Sequence, residues 1–212
     1  MAAGEEPVRA LRRGDTAAVG ELLAASHARY PAFGHLWPDP AVRRRALTPF
    51  LRAAASDAAG LHASDIGTDA RGIVAVALWL PPGSFPWSPI RQARALPALL
   101  RTALAAPRTA ASFARLGAAA ARTAPGEAHW YLEALGVHPR AQRRGWGQRV
   151  IGPGLQRADA DGLPCYVETS DPANVDFYNH FGFEVAAPTL NHLPHGPSYI
   201  GMRRPPRGAD TR

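Results

Sequence analysis

The chain has 212 residues, of which 46% are hydrophobic and 19% charged. At roughly 100 to 200 residues per domain this is the length of one large domain, and the composition excludes the disordered and fibrous classes. The formal charge is +7, and every one of the 24 basic residues is arginine. With abundant alanine, that bias reflects a GC-rich coding genome at least as much as an anionic partner. Cys165 is the one cysteine, so neither an intrachain disulfide nor a thiolate zinc cluster can form, as suits a reducing cytosol. Arg9, Arg12 and Arg13 interrupt the first aliphatic stretch, and no run approaches the roughly 18 to 20 apolar residues that span a bilayer. A cytoplasmic protein with no membrane partner is expected.

In chain order, residues 8–12 read as a short strand, and Gly14-Asp15 offers a turn and cap for a helix over 16–28, which stops near Tyr30-Pro31. A second helix is predicted over 39–59, with Pro40 at its first position and Val42, Ala46, Leu47, Phe50, Leu51 and Ala54 at spacings of three and four. Residues 61–66 and 72–80 read as strands. The second is nearly continuous in apolar character, as for a strand covered on both faces, and Pro81-Pro82-Gly83 ends it.

Residues 84–126 form a helical insertion in which Arg94, Arg101, Arg108, Arg115 and Arg122 recur every seven residues. That spacing drifts only about 20° per repeat around a helix, which makes a solvated basic face the plain reading and a rail for an anionic partner the sharper one. Pro97 and Pro107 are expected to interrupt it. Beyond it come strand 129–137, loop 138–144, helix 145–161, strand 164–169, helix 173–181, and strands 183–187 and 198–203, with a flexible tail over 205–212.

The strand ending at Val137 runs into a Gln142-Arg143-Arg144-Gly145-Trp146-Gly147 loop that opens a helix. Glycines let backbone amides approach a ligand, and those amides add to the positive end of the helix dipole, so such a turn holds phosphate. Arg143 and Arg144 supply forked donors for its oxygens. A dinucleotide fingerprint fits less well, because it wants three glycines and an acidic residue about 20 positions on.

Gln142–Gly147 resembles the acyl-CoA pyrophosphate signature of the GNAT superfamily of N-acetyltransferases. Asn174-Val175-Asp176-Phe177-Tyr178-Asn179-His180-Phe181-Gly182-Phe183 is similar to a second segment of that family, in the family's order and spacing. Within it the chain is most similar to the puromycin N-acetyltransferase group and its actinobacterial relatives, through Trp130-Tyr131-Leu132, Pro153-Gly154, Glu168-Thr169-Ser170 and Tyr30-Pro31.

The resemblance implies an α/β (α+β) fold over residues 1–204. A mixed, mostly antiparallel sheet of six or seven strands would carry helices on both faces and a splayed central strand pair. It implies that Leu135, Gly136 and Val137 bind the pantetheine of acetyl-CoA, the co-substrate. Gln142, Arg143, Arg144, Gly145, Trp146, Gly147 and Gln148 surround its pyrophosphate, with the Trp146 ring pointing away from the phosphates. Asn174 bonds the pantetheine, and Tyr178 sits beside the thioester sulfur. The reaction implied is direct attack of a neutral amine on the thioester, with no metal.

Tyr178 is the candidate acid for the leaving thiolate. Glu133 is the candidate base, on the argument that it shares strand parity with Leu135 and Val137 and that burial raises its pKa; a structural carboxylate paired to an arginine is its alternative. Tyr30, Phe33, Trp37 and Phe85 are the candidate acceptor-binding residues, with Trp87 beside them, and Phe33 and Trp37 read equally well as core. Cys165 reads as core.

The function expected is acetylation of a small-molecule amine, such as an aminonucleoside or another antibiotic in a resistance or biosynthetic role. The alternatives are acetylation of protein N-termini or lysines, a non-catalytic acyl-CoA sensor, and, from the +7 charge, a nucleic-acid-binding module. No nucleic-acid partner is expected on the first reading, and either a monomer or a homodimer fits.

Overall fold

The computed structural model describes residues 8–208; residues 1–7 and 209–212, the latter the end of the expected tail, lie outside the described residues. Seven strands form one sheet in the order β1-β2-β3-β4-β5-β7-β6: β1 Val8–Ala10, β2 Asp65–Asp69, β3 Gly72–Leu80, β4 Trp130–Val137, β5 Cys165–Thr169, β6 Glu184–Leu190 and β7 Tyr199–Arg204. Only β4 and β5 are parallel. β3 shows why the sheet is covered twice. Val76, Leu78 and Leu80 pack into one core and Ala75, Ala77 and Trp79 into the other, the period-two alternation of a strand with two apolar faces.

The first core is covered by α1 (Thr16–Ser26), α2 (Pro31–Leu36) and α3 (Pro40–Leu61). Asp39 caps α3 by accepting from the amides of Ala41 at 2.7 Å and Val42 at 3.1 Å, and Pro40 occupies the first turn, where its missing N–H goes unneeded. Ala46, Leu47, Leu51, Ala54, Ala55 and Ala58 then form its buried stripe. His62, in the left-handed region at φ 55°, ends the helix, so the strand expected over 61–66 begins only at Asp65. α2 has no counterpart among the sequence-based elements. It is under two turns long, too short to show a period, and exists to bury Ala32, Phe33 and Leu36.

The insertion folds as α4 (Pro89–Ala105) and α5 (Ala110–Thr123), joined by a 3-10 turn over Pro107–Thr109. Pro97 does not break α4, contrary to expectation. It sits on the exposed side, where water can satisfy the carbonyl that its ring leaves free. The break at Pro107 divides the five seven-spaced arginines between two helices and the turn, and all five are exposed.

The second core lies under α6 (Trp146–Ala160) and α7 (Asn174–Asn179). Pro153 lies inside α6, next to Gly154. A Cβ at Gly154 would collide with the indole of Trp79, which is fully buried. The glycine therefore sets how closely α6 can lie on β3. Gly154→Ala is expected to destabilise the fold by about 3 kcal/mol, the upper part of the usual overpacking range, read as a lower urea midpoint with the slope of the transition unchanged.

No described helix is long and apolar enough to cross a membrane.

Candidate active site

β4 pairs with β3 along its length but with β5 only at Trp130↔Cys165 and Tyr131↔Tyr166. β5 runs on to Thr169 beside β7, so from Leu132 onward the two parallel strands diverge. The edge of β4 at Leu135, Gly136 and Val137 faces the gap with no strand paired on that side, open to an extended ligand as an added strand. This is the splayed pair that the resemblance implied.

At the end of β4 the chain turns through His138–Gly145 into α6. Arg143 and Gly145 both lie in the left-handed region, at φ 61° and φ 76°. Alternation of this kind turns successive amides to one side and makes an anion-binding concavity. No side chain caps α6, so the first-turn amides of Trp146, Gly147 and Gln148 have no helical partner, at the positive end of a helix of 15 residues. Arg143, Arg144 and Gln148 are exposed there, and neither arginine is in an ion pair among the described residues.

The loop itself is braced. Arg140 forks onto Asp69 at 2.6 and 3.1 Å, and Gln142 donates to the Val137 carbonyl at 3.2 Å. Gln142 therefore holds the turn closed. The Trp146 ring is buried in the second core against Gly67, with the Arg149 guanidinium 4.9 Å above it, and so points away from the loop. A pyrophosphate fits this turn: it offers uncapped amides, two residues in the left-handed region and two exposed arginines that are in no ion pair among the described residues.

Beside the gap lies a cavity of about 710 Å³. Glu133, Tyr178 and Asn174 line it, as do Tyr30, Phe33 and Phe85. Trp37 does not. It is 2% exposed and stacks behind Phe33 at 6.0 Å, and its indole N–H donates to Thr109 Oγ1 at 2.7 Å, tying α2 to the start of α5. Its assignment to the acceptor pocket is corrected to core.

Glu133 reaches the cavity by a route that alternation did not foresee. The β3 register steps from Leu78↔Ala134 to Trp79↔Leu132, leaving Glu133 as the extra residue of a bulge. The parity shared with Leu135 is therefore broken, because a bulge shifts every later side chain by one. Leu135 and Val137 pack toward the second core, whereas Glu133 meets Trp87, which lies against the first.

The Trp87 indole donates to Glu133 Oε1 at 3.0 Å, and Oε2 is out of reach of water and has no partner among the described residues. Burial, reinforced by the negative charge of Asp57, pushes the Glu133 pKa up to about 8, against the opposing pull of Arg91 and the Trp87 hydrogen bond. Arg91 is itself paired with Asp57, so Glu133 is not an arginine's structural partner. Trp87 is the functional residue whose role the sequence concealed: it sits in a Pro-rich loop with no periodicity, 46 positions before its partner.

Tyr178, 6% exposed, is wedged against Phe177 and Phe183. Burial holds its phenol above the usual tyrosine range, and its hydroxyl makes no hydrogen bond to another described residue. Asn174 donates to Thr169 Oγ1 at 3.1 Å, which leaves its amide oxygen for a ligand. The Tyr30 hydroxyl accepts from the Ser170 amide at 2.7 Å and fixes the loop after β5. A second carboxylate, Glu168, also lines the cavity, but it is fully engaged. Oε1 accepts from the Thr123 and Tyr166 hydroxyls, each at 2.9 Å, and Oε2 is bonded to His192 Nε2 at 2.7 Å. Cys165 is fully buried, and desolvation pushes its thiol up to about 12, as for an inert core residue.

A splayed parallel pair beside an uncapped helix N-terminus, with a carboxylate and a tyrosine in the adjoining cavity, suits an extended anionic ligand with acid–base chemistry at its end. Residues 79–183 match the model of the acetyltransferase (GNAT) family. The fold resembles a Corynebacterium glutamicum structure described as histone acetyltransferase HPA2 and related acetyltransferase, with TM-score 0.68, 23% identity, and 96% of this chain and 98% of that one covered. It is also similar to the polyamine N-acetyltransferase of Drosophila melanogaster, with TM-score 0.58, 20% identity, and 93% and 98% coverage. An uncharacterized N-acetyltransferase of Schizosaccharomyces pombe is 41% identical over 54 residues, 26% of this chain, and the match spans only 22% of that protein's length. Residues 79–183 thus carry the acetyltransferase (GNAT) pattern, that of acetyl-CoA-dependent N-acetyltransferases.

Proposed function

We propose that the chain transfers the acetyl group of acetyl-CoA directly to the nitrogen of a small-molecule amine. The observation that carries this reading is Glu133: a carboxylate fixed on one oxygen by Trp87, unpartnered on the other, and lining the same cavity as Tyr178. Acetyl-CoA, bound along the open edge of β4 with its pyrophosphate on the Arg143–Gln148 turn, supplies an activated acetyl thioester.

The remaining tasks fall to residues of the chain. An arriving ammonium is drawn to the Glu133 carboxylate, which takes its proton. A carboxylate with a pKa near 8 is a far better match for an amine than one near 4. The freed nitrogen attacks the carbonyl carbon, and as the tetrahedral adduct collapses the carbon–sulfur bond breaks and the surplus N–H proton passes from nitrogen to the departing sulfur, leaving the amide and the free thiol of CoA. The Tyr178 hydroxyl donates to the departing sulfur. Because burial raises the phenol's pKa, this donation is a hydrogen bond that stabilises the charge rather than a completed proton transfer.

A small molecule suits the site better than a protein tail, because α4 and α5 wall the cavity where a peptide-binding surface would need an open groove. The ring pair Phe85 and Tyr131, stacked at 4.2 Å with 14° between planes, adds an apolar wall to the same cavity. The unpartnered Tyr178 hydroxyl argues against a non-catalytic sensor. The test is thiol release from acetyl-CoA against puromycin, other aminonucleosides, aminoglycosides, simple alkylamines and peptides with free N-termini. Turnover of small amines is expected; turnover of peptides alone overturns the reading.

A further inference from the structure

The insertion contributes most of the cavity's outer wall, and its chemistry is one-sided. Along α4, Leu96, Leu99 and Leu100 line the cavity, and Leu96 and Leu100 remain 52% and 54% exposed. Opposite them α5 presents Phe113, Ala114 and Gly117, continued by further alanines. Half-exposed leucines at spacings of three and four on a cavity wall are apolar surface that the fold alone does not cover. The small residues of α5 leave width between the helices. The strand and α7 side of the lining carries Glu133, Asn174 and Tyr178, and Gln92 is the polar residue that α4 adds.

We infer that the acceptor is a monoamine bearing an extended apolar body, its nitrogen at Glu133 and its body lying between α4 and α5. The inference rests on the acetyl-transfer reading above and sharpens it. The occupant is fixed by continuity: the apolar slot and the candidate base line one cavity, so whatever places nitrogen at Glu133 must send the rest of its mass past the leucines.

A second cationic group has no place to go. Glu168, the other carboxylate on the cavity, has both oxygens engaged by Thr123, Tyr166 and His192. Residues 84–126 carry no aspartate or glutamate, so the insertion offers no carboxylate to receive a second ammonium. A peptide fares no better, since its backbone amides and carbonyls would lose water against leucine and alanine without gaining partners.

The experiment is thiol release by the full chain with saturating acetyl-CoA and the series n-butylamine to n-octylamine, alongside spermidine and a short peptide with a free N-terminus. Each methylene buried in the slot is expected to raise kcat/KM roughly threefold to fourfold. Octylamine should then exceed butylamine by about a hundredfold, and spermidine should fall below both. A series flat in chain length, or spermidine or the peptide used as well as octylamine, overturns the inference while leaving acetyl transfer intact. No turnover of any amine overturns the acetyl-transfer reading itself. The double variant Leu96→Gln, Leu100→Gln, at half-exposed positions, is expected to shrink the octylamine-to-butylamine ratio at least tenfold. An undiminished ratio places the tail elsewhere and overturns the inference.

Discussion

Replacing Tyr178 by phenylalanine is expected to lower kcat by tenfold or more, a floor set below the usual contribution of about 10² to 10⁴ for a group that assists proton movement at a reacting atom. The affinity for acetyl-CoA should hardly change. The ring does the packing, against Phe177 and Phe183, and phenylalanine keeps the ring. Only the hydroxyl is lost, and it has no partner among the described residues to leave unsatisfied. Stability should therefore be unchanged within about 0.5 kcal/mol. Steady-state kinetics with a good acceptor, together with acetyl-CoA binding by calorimetry, separate the two effects. A kcat equal to that of the unsubstituted protein removes the acid role.

Glu133→Gln is expected to do two opposite things. Activity falls, most steeply at low pH, because the variant can use only the fraction of amine already neutral in solution. The pH profile of kcat/KM should lose its ascending limb near 8, the value to which burial raises Glu133, and retain only the limb set by the amine itself. Stability moves the other way. A carboxyl whose pKa is raised by folding favours the folded state fully below its unfolded value near 4.5, and that advantage is lost as pH climbs through 8.

Above pH 8 the glutamate is a buried charge and the glutamine is not. The shift from 4.5 to about 8 corresponds to a few kcal/mol at about 1.4 kcal/mol per unit. A Tm for Glu133→Gln that exceeds the parent's at pH 9 and matches it at pH 4 is the signature. A uniform loss of activity across pH, with Tm unchanged at pH 9, would make Glu133 structural.

Much of this site could be read from the chain before any coordinates. The Gln142–Gly147 turn and the Asn174–Tyr178 segment are local: each is a run of residues whose spacing alone sets the geometry of a helix start. β3 announced its two-sided burial by an unbroken apolar run. What escaped detection is non-local. Trp87 and Glu133 meet because a Pro-rich loop folds across β4, and nothing in either segment encodes the other. The bulge at Glu133 is invisible to alternation, since a strand with one extra residue reads like any other until its partner's register is known. Trp37 was ambiguous for a related reason, as an aromatic in a short helix looks the same whether it faces ligand or core. The insertion's helices were legible as helices, but Pro97 overstated the break, because proline's penalty depends on whether water can reach the carbonyl it frees.

The fastening of α5 bears on how this molecule could change its tastes. The helix is pinned at its two ends, at Thr109 by Trp37 and at Thr123 by Glu168, while Leu116 and Ala119 turn its inner side toward the body of the protein. The stretch between, over Ala114, Gly117 and Ala118, spans the cavity like a deck between two abutments. Side chains there can be exchanged without disturbing either anchor or the strand that carries the carboxylate. On the proposed reading, acceptor preference and bond-making chemistry are thus inherited on separate stretches of sequence, and the first can drift while the second is kept.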